Sequence, residues 1–494
     1  MMIYLEYAIY LIAAILRLAN LGTAALWYDE SFTYMITSRD FPSMLAAIVG
    51  DVHPPLYYLI TAPFTQLAGL NEFWIRLPSA ALSMVGLYLT GKVARQLGLS
   101  ERARLVGMAL LALLPSEIYY AQEARMYALF QALVLAWLLM VLRRRWSLAA
   151  LFGILTMYTH NYALFYLPVI GLIALAGEIK RPVILANEVT NFPWLACWKP
   201  GDQAQVRGAL LSALIPAICW LPWQFILLPQ MTNVYHGYWI GAVTVGSVLN
   251  ALYLIFFSFY PPQTASLISV IVLYSLLLYA AIRTRRQVGN AWPVLILLGF
   301  GPLLLSIAGS LAWKPVLLFR GLMPSVPLLC LLIAAALTTG PGWKLLYSSA
   351  LITPLLVGGL VNYYAKVPAD KGLIYQDVAR MREYWQPGDL LIHSNSSSLL
   401  RWQAYAPDID QTVLPGCGPN GGELSEKTRT EFGAYIDQPN DQTQRIWFLW
   451  EDGPTSPQCE IQRAEDLTRS RSARIILANN KYNEAGIFLL DELQ

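Results

Sequence analysis

The chain has 494 residues, of which 56% are hydrophobic and only 13% are charged, and its formal net charge is +3. An ordinary soluble domain is about 45–50% apolar and about 25% charged, so this composition excludes a soluble enzyme of the usual kind. The small net charge gives no support for a nucleic-acid partner. The five cysteines include no CxxC pair of the kind found in zinc and redox motifs.

The charges divide the chain into two regions. Residues 1–361 contain 12 acidic and 21 basic side chains, whereas residues 362–494 contain 19 acidic and 13 basic ones. We therefore predict a transmembrane domain over 1–361 and a separate soluble domain over 362–494.

Apolar runs long enough to cross a bilayer recur throughout the first region. A spanning helix needs about 20 mostly apolar residues. Eleven spans are predicted, near 4–22, 75–95, 104–121, 125–142, 147–160, 162–178, 209–228, 265–282, 291–311, 316–338 and 344–361. No A-x-A-like cleavage site follows the first run, so we expect that run to be retained rather than removed as a signal peptide.

Two further apolar stretches, 54–70 and 246–260, are short and carry a proline pair at one end. This is typical of helices that lie along the membrane surface or dip partly into the membrane. If neither crosses, 15 of the 21 basic residues fall on the side of the N-terminus. Because Lys and Arg in short loops are retained in the cytoplasm, we predict a multi-pass protein of the cell inner (plasma) membrane with a cytoplasmic N-terminus. The odd number of spans then puts 362–494 outside.

The tail alternates short apolar runs with helix-like stretches. The apolar runs are 390–392, 446–450, 475–477 and 487–490, and the helix-like stretches are 374–385, 397–405 and 424–436. This alternation predicts an extracytoplasmic α/β domain. Cys417 and Cys459 could form a disulfide there or remain two buried thiols. The cytoplasmic loop 183–208 contains Trp and Pro and receives no functional interpretation.

Acidic side chains gather on the predicted outer side. Asp29 and Glu30 directly follow the first span, and Glu123 lies in the second outer loop. Asp29 could accept a proton from an acceptor hydroxyl while Glu30 holds a neighbouring group, or both acids could favour the dipole of a helix N-terminus. Glu123 could share a pocket with Asp29, or it could simply pair with Arg125.

Basic side chains on the same side suit an anionic ligand. Arg320 lies at the outer edge of the tenth span, where a planar, permanently charged guanidinium suits a phosphate. The alternative is an arginine that snorkels to the interface. His53 could bind a phosphate or a metal, or it could cap a surface helix. Further candidate substrate contacts are Tyr57, Arg125, Tyr127 and His160.

The order of these motifs resembles the polytopic GT-C glycosyltransferases, specifically the family that includes protein O-mannosyltransferases and bacterial lipid A aminoarabinose transferases. The resemblance covers residues 1 to about 340. It rests on Asp29-Glu30, the run His53-Pro54-Pro55-Leu56-Tyr57-Tyr58, the run Gln122-Glu123-Ala124-Arg125-Met126-Tyr127, and Arg320 ahead of Leu322-Met323-Pro324.

The resemblance implies a role for several of these residues. Asp29 would be the catalytic base, and Glu123 would be the second acid of the site. Arg320, with Arg125, would bind the phosphate of a polyprenyl-phosphate sugar. Aminoarabinose transferases commonly have Lys where this chain has His53. Oligosaccharyltransferases, which are more distant GT-C enzymes, use a divalent metal, but no ligand cluster of that pattern is evident here and the cofactor stays open.

We therefore predict a hexosyl- or pentosyltransferase that moves a sugar, with inversion, to a hydroxyl of a protein, glycolipid or polysaccharide outside the bilayer. The main alternative is a lipid or solute transporter or flippase without transferase chemistry. Transporters usually carry ionisable sites near the bilayer midplane and internal repeats, and the sequence has neither feature clearly. A non-catalytic assembly protein on a degenerate transferase scaffold is a third interpretation.

Overall fold

The computed structural model describes residues 2–50, 53–178, 203–234, 240–257, 266–339, 342–370, 374–393, 396–413, 445–450, 472–479 and 485–491. Within these ranges the chain is mostly helical, as predicted, and its strands all lie beyond residue 389.

Sixteen helices precede the tail within the described ranges. They are α1 (Met2–Leu18), α2 (Tyr28–Thr37), α3 (Phe41–Gly50), α4 (Leu56–Ala68), α5 (Glu72–Gln96), α6 (Glu101–Leu113), α7 (Pro115–Ala121), α8 (Tyr127–Leu142), α9 (Trp146–Met157), α10 (Ala163–Glu178), α11 (Gln203–Val234), α12 (Val245–Phe257), α13 (Ser266–Thr284), α14 (Ala291–Ala312), α15 (Val326–Thr338) and α16 (Gly342–Asp370). A 3-10 helix, Phe319–Ser325, leads directly into α15.

Each of the eleven predicted spans falls on a helix or on a pair of helices, and the predicted surface stretches are α4 and α12. By length and composition, three helical stretches of the described chain qualify as complete membrane spans, namely Gln203–Leu228, Ala291–Ala312 and Phe319–Thr338. Helices α6 and α7 form a fourth span only if the two, which meet at a bend of 61°, are counted together as one. The count of eleven crossings and the orientation therefore stay predictions.

The bend between α6 and α7 directs the chain toward the end of α1. Pro115 opens α7 without an N–H group, and its ring disfavours helical backbone at Leu114, which is extended at φ −67° and ψ 127°. The amide of Gln122, just after α7, donates to three carbonyls at the end of α1 over 2.7–3.1 Å. Because the last carbonyls of a helix have no partner within it, Gln122 caps α1 and fixes the loop that follows α7.

The centre of the bundle is formed by α5, α6, α8 and α15. Every residue from Val326 to Leu337 in α15 is buried. The backbones of α6 and α15 approach closely at Gly107, where an added Cβ would lie 2.7 Å from Cδ2 of Leu331 and 3.4 Å from its Cα. Small residues permit this close helix packing in membrane proteins.

The tail contains two helices and a five-stranded sheet in the described ranges. They are α17 (Ile374–Tyr384), α18 (Ser396–Tyr405), β1 (Leu390–His393), β2 (Gln411–Val413), β3 (Ile446–Trp450), β4 (Ser472–Asn479) and β5 (Ala485–Asp491). The strand order is β2-β1-β3-β5-β4, with β1 parallel to β2 and β3, and β5 antiparallel to β3 and β4.

The predicted helices 374–385 and 397–405 and the four predicted strands are therefore confirmed as secondary structure. The predicted helix 424–436, Cys417, Cys459 and residues 183–202 of the predicted loop lie outside the described residues. The division into domains stays a prediction, and α16 runs through the proposed boundary at 361 to Asp370. Helix α18 packs against α2, so the tail contacts the segment that carries Asp29.

Replacing Gly107 with Leu should destabilise the bundle by about 1–3 kcal/mol, because the new side chain would force α6 away from α15. Thermal unfolding of the purified protein in detergent measures this change. Gly177→Leu is the matched control, since Gly177 is an exposed helical glycine with nothing within 4 Å of an added Cβ. Equal unfolding temperatures for the two variants would contradict the close packing at Gly107.

Candidate functional site

The Asp29 carboxylate lies among side chains from three other parts of the chain. Asp29 stands in the first turn of α2, and its Oδ2 accepts a hydrogen bond from Nη1 of Arg320 at 2.9 Å. Nε of Arg125 lies 4.0 Å from the same oxygen. The Asp29 side chain is 14% exposed, so it is largely but not completely buried.

Arg125 is held in place by protein groups on several sides. Its Nη1 donates to the carbonyl of Asp29 at 3.3 Å and lies 3.5 Å from Oγ1 of Thr33. Its Nη2 lies 3.3 Å from Nε2 of His53. The side chain is 3% exposed. Arg125 therefore joins the loop between α7 and α8 to both α2 and the segment before α4.

Arg320 is the more accessible of the two arginines. It belongs to the 3-10 helix before α15, and its side chain is 19% exposed. The guanidinium carbon also lies 5.8 Å from the centre of the Tyr127 ring, within the range of a cation–π contact. Arg320 thus meets both Asp29 and the first residue of α8.

Electrostatics keep Asp29 ionised. Burial alone would raise the pKa of its carboxyl, but the charges of Arg125 and Arg320, with a contribution from His53, outweigh burial and lower the pKa below its ordinary value. The side chain is therefore a carboxylate at neutral pH and can accept a proton.

Glu30, one residue later, points into the protein. It is fully buried, and its two oxygens accept from Nε and Nη2 of Arg76 at 2.7 Å each. Arg76 also donates to the carbonyls of Leu21, Ala24 and Ala25. The backbone N–H of Ala124 donates to Oε1 of Glu30 at 3.0 Å. Glu30 therefore ties α2, α5 and the loop between α7 and α8 together.

Glu123 and Tyr57 are also buried. Glu123 is 1% exposed, and the hydroxyls of Tyr120 and Tyr127 lie within electrostatic range of both Glu123 and Asp29. The Tyr57 hydroxyl lies 2.8 Å from Oγ of Ser79, which donates to the Arg125 carbonyl at 3.2 Å. Tyr57 therefore contacts the Arg125 backbone indirectly, through the Ser79 hydroxyl.

An aromatic wall continues the site toward α10. The ring of His160 stacks on Phe130 with centroids 5.3 Å apart, and it lies 5.8 Å from Tyr127 and 6.1 Å from His53. The backbone N–H of Tyr162 donates to Nδ1 of His160 at 3.0 Å. This bond fixes the tautomer that carries its proton on Nε2. Within the described chain, that Nε2 is buried and makes no hydrogen bond.

The structure thus brings Asp29, His53, Arg125, Tyr127 and Arg320 into direct contact in pairs, with His160 at the edge of the group. Glu30 and Tyr57 are fully buried and do not belong to this group. Sequence reasoning missed Arg76 as the partner of Glu30, although a charged residue inside a predicted span was a signal that a buried partner exists. In the described part of the chain, no three His, Cys, Asp or Glu side chains lie close enough together to hold a metal ion.

No protein-family model and no curated protein matches the chain. It is similar to solved structures of ArnT from Cupriavidus metallidurans, in the apo state and bound to undecaprenyl phosphate, each with a TM-score of 0.59 at 12% identity over 98% of this chain and 97% of that one. It is also similar to the oligosaccharyltransferase AglB from Archaeoglobus fulgidus in complex with an inhibitory peptide and a dolichol-phosphate. That match has a TM-score of 0.47 at 11% identity over 82% and 64% of the two chains. The chain therefore has the fold of ArnT, which confirms the predicted resemblance at the level of the fold.

Replacing Glu30 with Ala should destabilise the protein by about 3–5 kcal/mol, because the Arg76 charge would stay buried without its carboxylate. Thermal unfolding in detergent measures the loss. The matched control is Glu101→Ala, which removes a first-turn acid of α6 that pairs with Arg104 at 2.7 Å but is 48% exposed. The buried Arg104 keeps its bonds to Glu6 in this variant, so the loss should be less than about 1 kcal/mol. Similar losses for the two variants would contradict the role assigned to Glu30.

Proposed function

We propose that this chain is a membrane glycosyltransferase that moves a sugar from a polyprenyl-phosphate donor to an acceptor hydroxyl on the extracytoplasmic side. The observation that carries this proposal is the accessible Asp29 carboxylate, hydrogen-bonded to Arg320 and close to Arg125. In the transfer of a sugar from a phosphate donor, a proton must leave the acceptor while negative charge develops on the phosphate. A carboxylate can accept the proton, and a partly exposed arginine can offset the charge. The ArnT fold, seen with undecaprenyl phosphate in one structure, adds support.

The donor phosphate would bind at Arg320. Its side chain is 19% exposed, whereas that of Arg125 is 3% exposed and is fixed by Asp29, Thr33 and His53. An incoming phosphate oxygen can compete with Asp29 for Arg320, because guanidinium groups bind phosphate by paired hydrogen bonds. Arg125 would stay in place and keep Asp29 oriented.

Donor binding would then activate the base. In the structure, two arginines hold the pKa of Asp29 low, which keeps the carboxylate ionised but makes it a weak proton acceptor. When the phosphate engages Arg320, part of this positive charge is neutralised and the pKa of Asp29 rises. The acceptor hydroxyl would therefore be deprotonated efficiently only when a donor is present.

The transfer step is a single displacement. The acceptor oxygen forms a bond to the anomeric carbon as its proton passes to Asp29. The bond between that carbon and the phosphate oxygen breaks, and its electron pair stays on the departing polyprenyl phosphate, where Arg320 offsets the added charge. Because attack and departure occur on opposite faces, the anomeric centre is inverted.

The remaining predicted residues would line the sugar site. His160, whose buried ring stacks on Phe130 and lies 5.8 Å from Tyr127, would shape this site. The Tyr127 ring offers a stacking surface beside Arg320, and Glu123 would complete the acid pair near the Tyr120 and Tyr127 hydroxyls. We propose a protein, glycolipid or polysaccharide as the acceptor and the cell inner membrane as the location.

Asp29→Asn should lower the rate of sugar transfer on the order of a hundredfold or more, because an amide cannot accept the proton. The measurement is transfer of radiolabelled sugar from a defined polyprenyl-phosphate donor by purified protein in liposomes. Asp40→Asn is the matched control, since Asp40 binds Ser43 at the start of α3 and should be dispensable for transfer. Near-normal transfer by Asp29→Asn would remove Asp29 as the base. Lipid translocation by a wild type that does not transfer sugar would instead favour the transporter interpretation.

Arg320→Gln should weaken donor binding and shift the pH profile. Loss of the Arg320 charge raises the pKa of Asp29. As the pH is lowered, the Asp29 carboxylate is therefore protonated at a higher pH in this variant than in the wild type. The acid limb of kcat/KM should therefore move to higher pH, and the donor KM should rise about tenfold or more. Arg39→Gln is the control, because it removes a positive charge just after the end of α2. An unchanged donor KM in Arg320→Gln would contradict the phosphate assignment.

A further inference from the structure

The loop between α1 and α2 holds Asp29 in position without regular secondary structure of its own. Three of its carbonyls, those of Leu21, Ala24 and Ala25, accept hydrogen bonds from the Arg76 guanidinium at 2.7–3.0 Å. Buried backbone groups need such partners, because leaving them unpaired is unfavourable. One side of this loop is therefore fixed by α5.

The other side of the loop is held by the tail. The backbone N–H of Leu26 donates to the hydroxyl oxygen of Tyr405 at 2.7 Å, and Leu26 is fully buried. The same hydroxyl donates to Oε1 of Glu72 at 2.6 Å. Burial and the Glu72 carboxylate raise the pKa of Tyr405, so its hydroxyl stays protonated and makes both bonds at once.

A single turn of α5 organises the two attachments. Glu72 and Arg76 are four residues apart, which puts them on the same face of the helix. Glu72 anchors the Tyr405 hydroxyl, while Arg76 binds Glu30 and the loop carbonyls. The loop is thus held between this helical turn and the end of α18.

Apolar contacts also connect the loop before α2 to the tail. Ala25, 1% exposed, belongs to an apolar cluster whose other members come from the tail, including Met381, Trp402 and Trp447. The Tyr405 ring packs against a second cluster that consists of Leu26, Ile75 and Ala124. Ala124 is flanked by Glu123 and Arg125, so this cluster joins the loop before α2 to the loop between α7 and α8.

We propose that Tyr405 is a positioning residue for Asp29, so that the tail helps to set the geometry of sugar transfer. Leu26 precedes Asp29 by three residues and directly precedes Trp27, the N-cap residue of α2. This inference rests on the proposed function, in which Asp29 is the base. Arg320 belongs to a different element, so a shift of α2 changes the position of the base more than the phosphate site.

Tyr405→Phe tests this role, with Tyr375→Phe as the matched control. The Tyr375 hydroxyl also donates to Oε1 of Glu72, and its ring lies 5.0 Å from that of Tyr405. Both variants remove one hydrogen bond to Glu72, but only Tyr405→Phe removes the acceptor of the Leu26 N–H. We expect kcat to fall about tenfold in Tyr405→Phe with the donor KM unchanged, because small misplacements of a base are costly. Tyr375→Phe should retain the wild-type kcat.

Hydrogen exchange provides a readout that does not depend on activity. The Leu26 amide should exchange at least about tenfold faster in Tyr405→Phe than in the wild type, and at the wild-type rate in Tyr375→Phe. Equal exchange and equal kcat in the two variants would overturn the proposal. Faster exchange in Tyr405→Phe with an unchanged kcat would overturn the positioning role alone. If the wild type transfers no sugar while the exchange pattern appears as expected, the proposed function fails and the attachment of the loop stands.

A second pair of variants keeps the test valid if Tyr405→Phe expresses poorly. Glu72→Ala removes the acceptor that orients the Tyr405 hydroxyl, whereas Glu72→Gln keeps a carbonyl oxygen at that position. The Ala variant should reproduce the faster Leu26 exchange and the lower kcat, and the Gln variant should restore both. Identical behaviour of the two Glu72 variants would contradict the proposal.

Discussion

The buried ion pair between Glu30 and Arg76 is the constraint on which the site depends. Its two bonds of 2.7 Å fix the first turn of α2 against α5, and Arg76 also binds the loop that leads into α2. Adjacent residues on a helix point about 100° apart. With Glu30 turned into the protein, Asp29 faces Arg320. Two neighbouring acids of the same charge therefore have separate tasks, because one is buried with its partner and the other is accessible.

The two arginines beside Asp29 differ in the same way. Arg125 is 3% exposed and binds the Asp29 carbonyl and His53, so it belongs to the framework of the site. Arg320 is 19% exposed and meets the Asp29 carboxylate from a separate element. An anion can therefore compete for Arg320 while Arg125 keeps the base in place. This difference in accessibility links donor binding to the strength of the base in the proposed mechanism.

Much of the helical architecture was predictable from the sequence, because apolar runs of spanning length are local properties. The approach of Asp29 to Arg320 was indicated only by the order of short motifs. The pairing of Glu30 with Arg76 was not predictable, since it joins residues 46 positions apart through tertiary packing. The contact of Leu26 with Tyr405 spans 379 positions and depends on how the tail docks, which no local pattern encodes. The bend at Pro115 was missed because the apolar run continues through it.

The most direct test of the central claim is a structure of the protein with bound undecaprenyl phosphate, determined by electron cryo-microscopy in lipid nanodiscs. The account predicts phosphate density within hydrogen-bonding distance of the Arg320 guanidinium, with the distance between Arg320 and the Asp29 carboxylate longer than 2.9 Å. Arg125 and the Glu30–Arg76 pair should keep their positions. A phosphate bound elsewhere, with Arg320 still hydrogen-bonded to Asp29, would contradict the account.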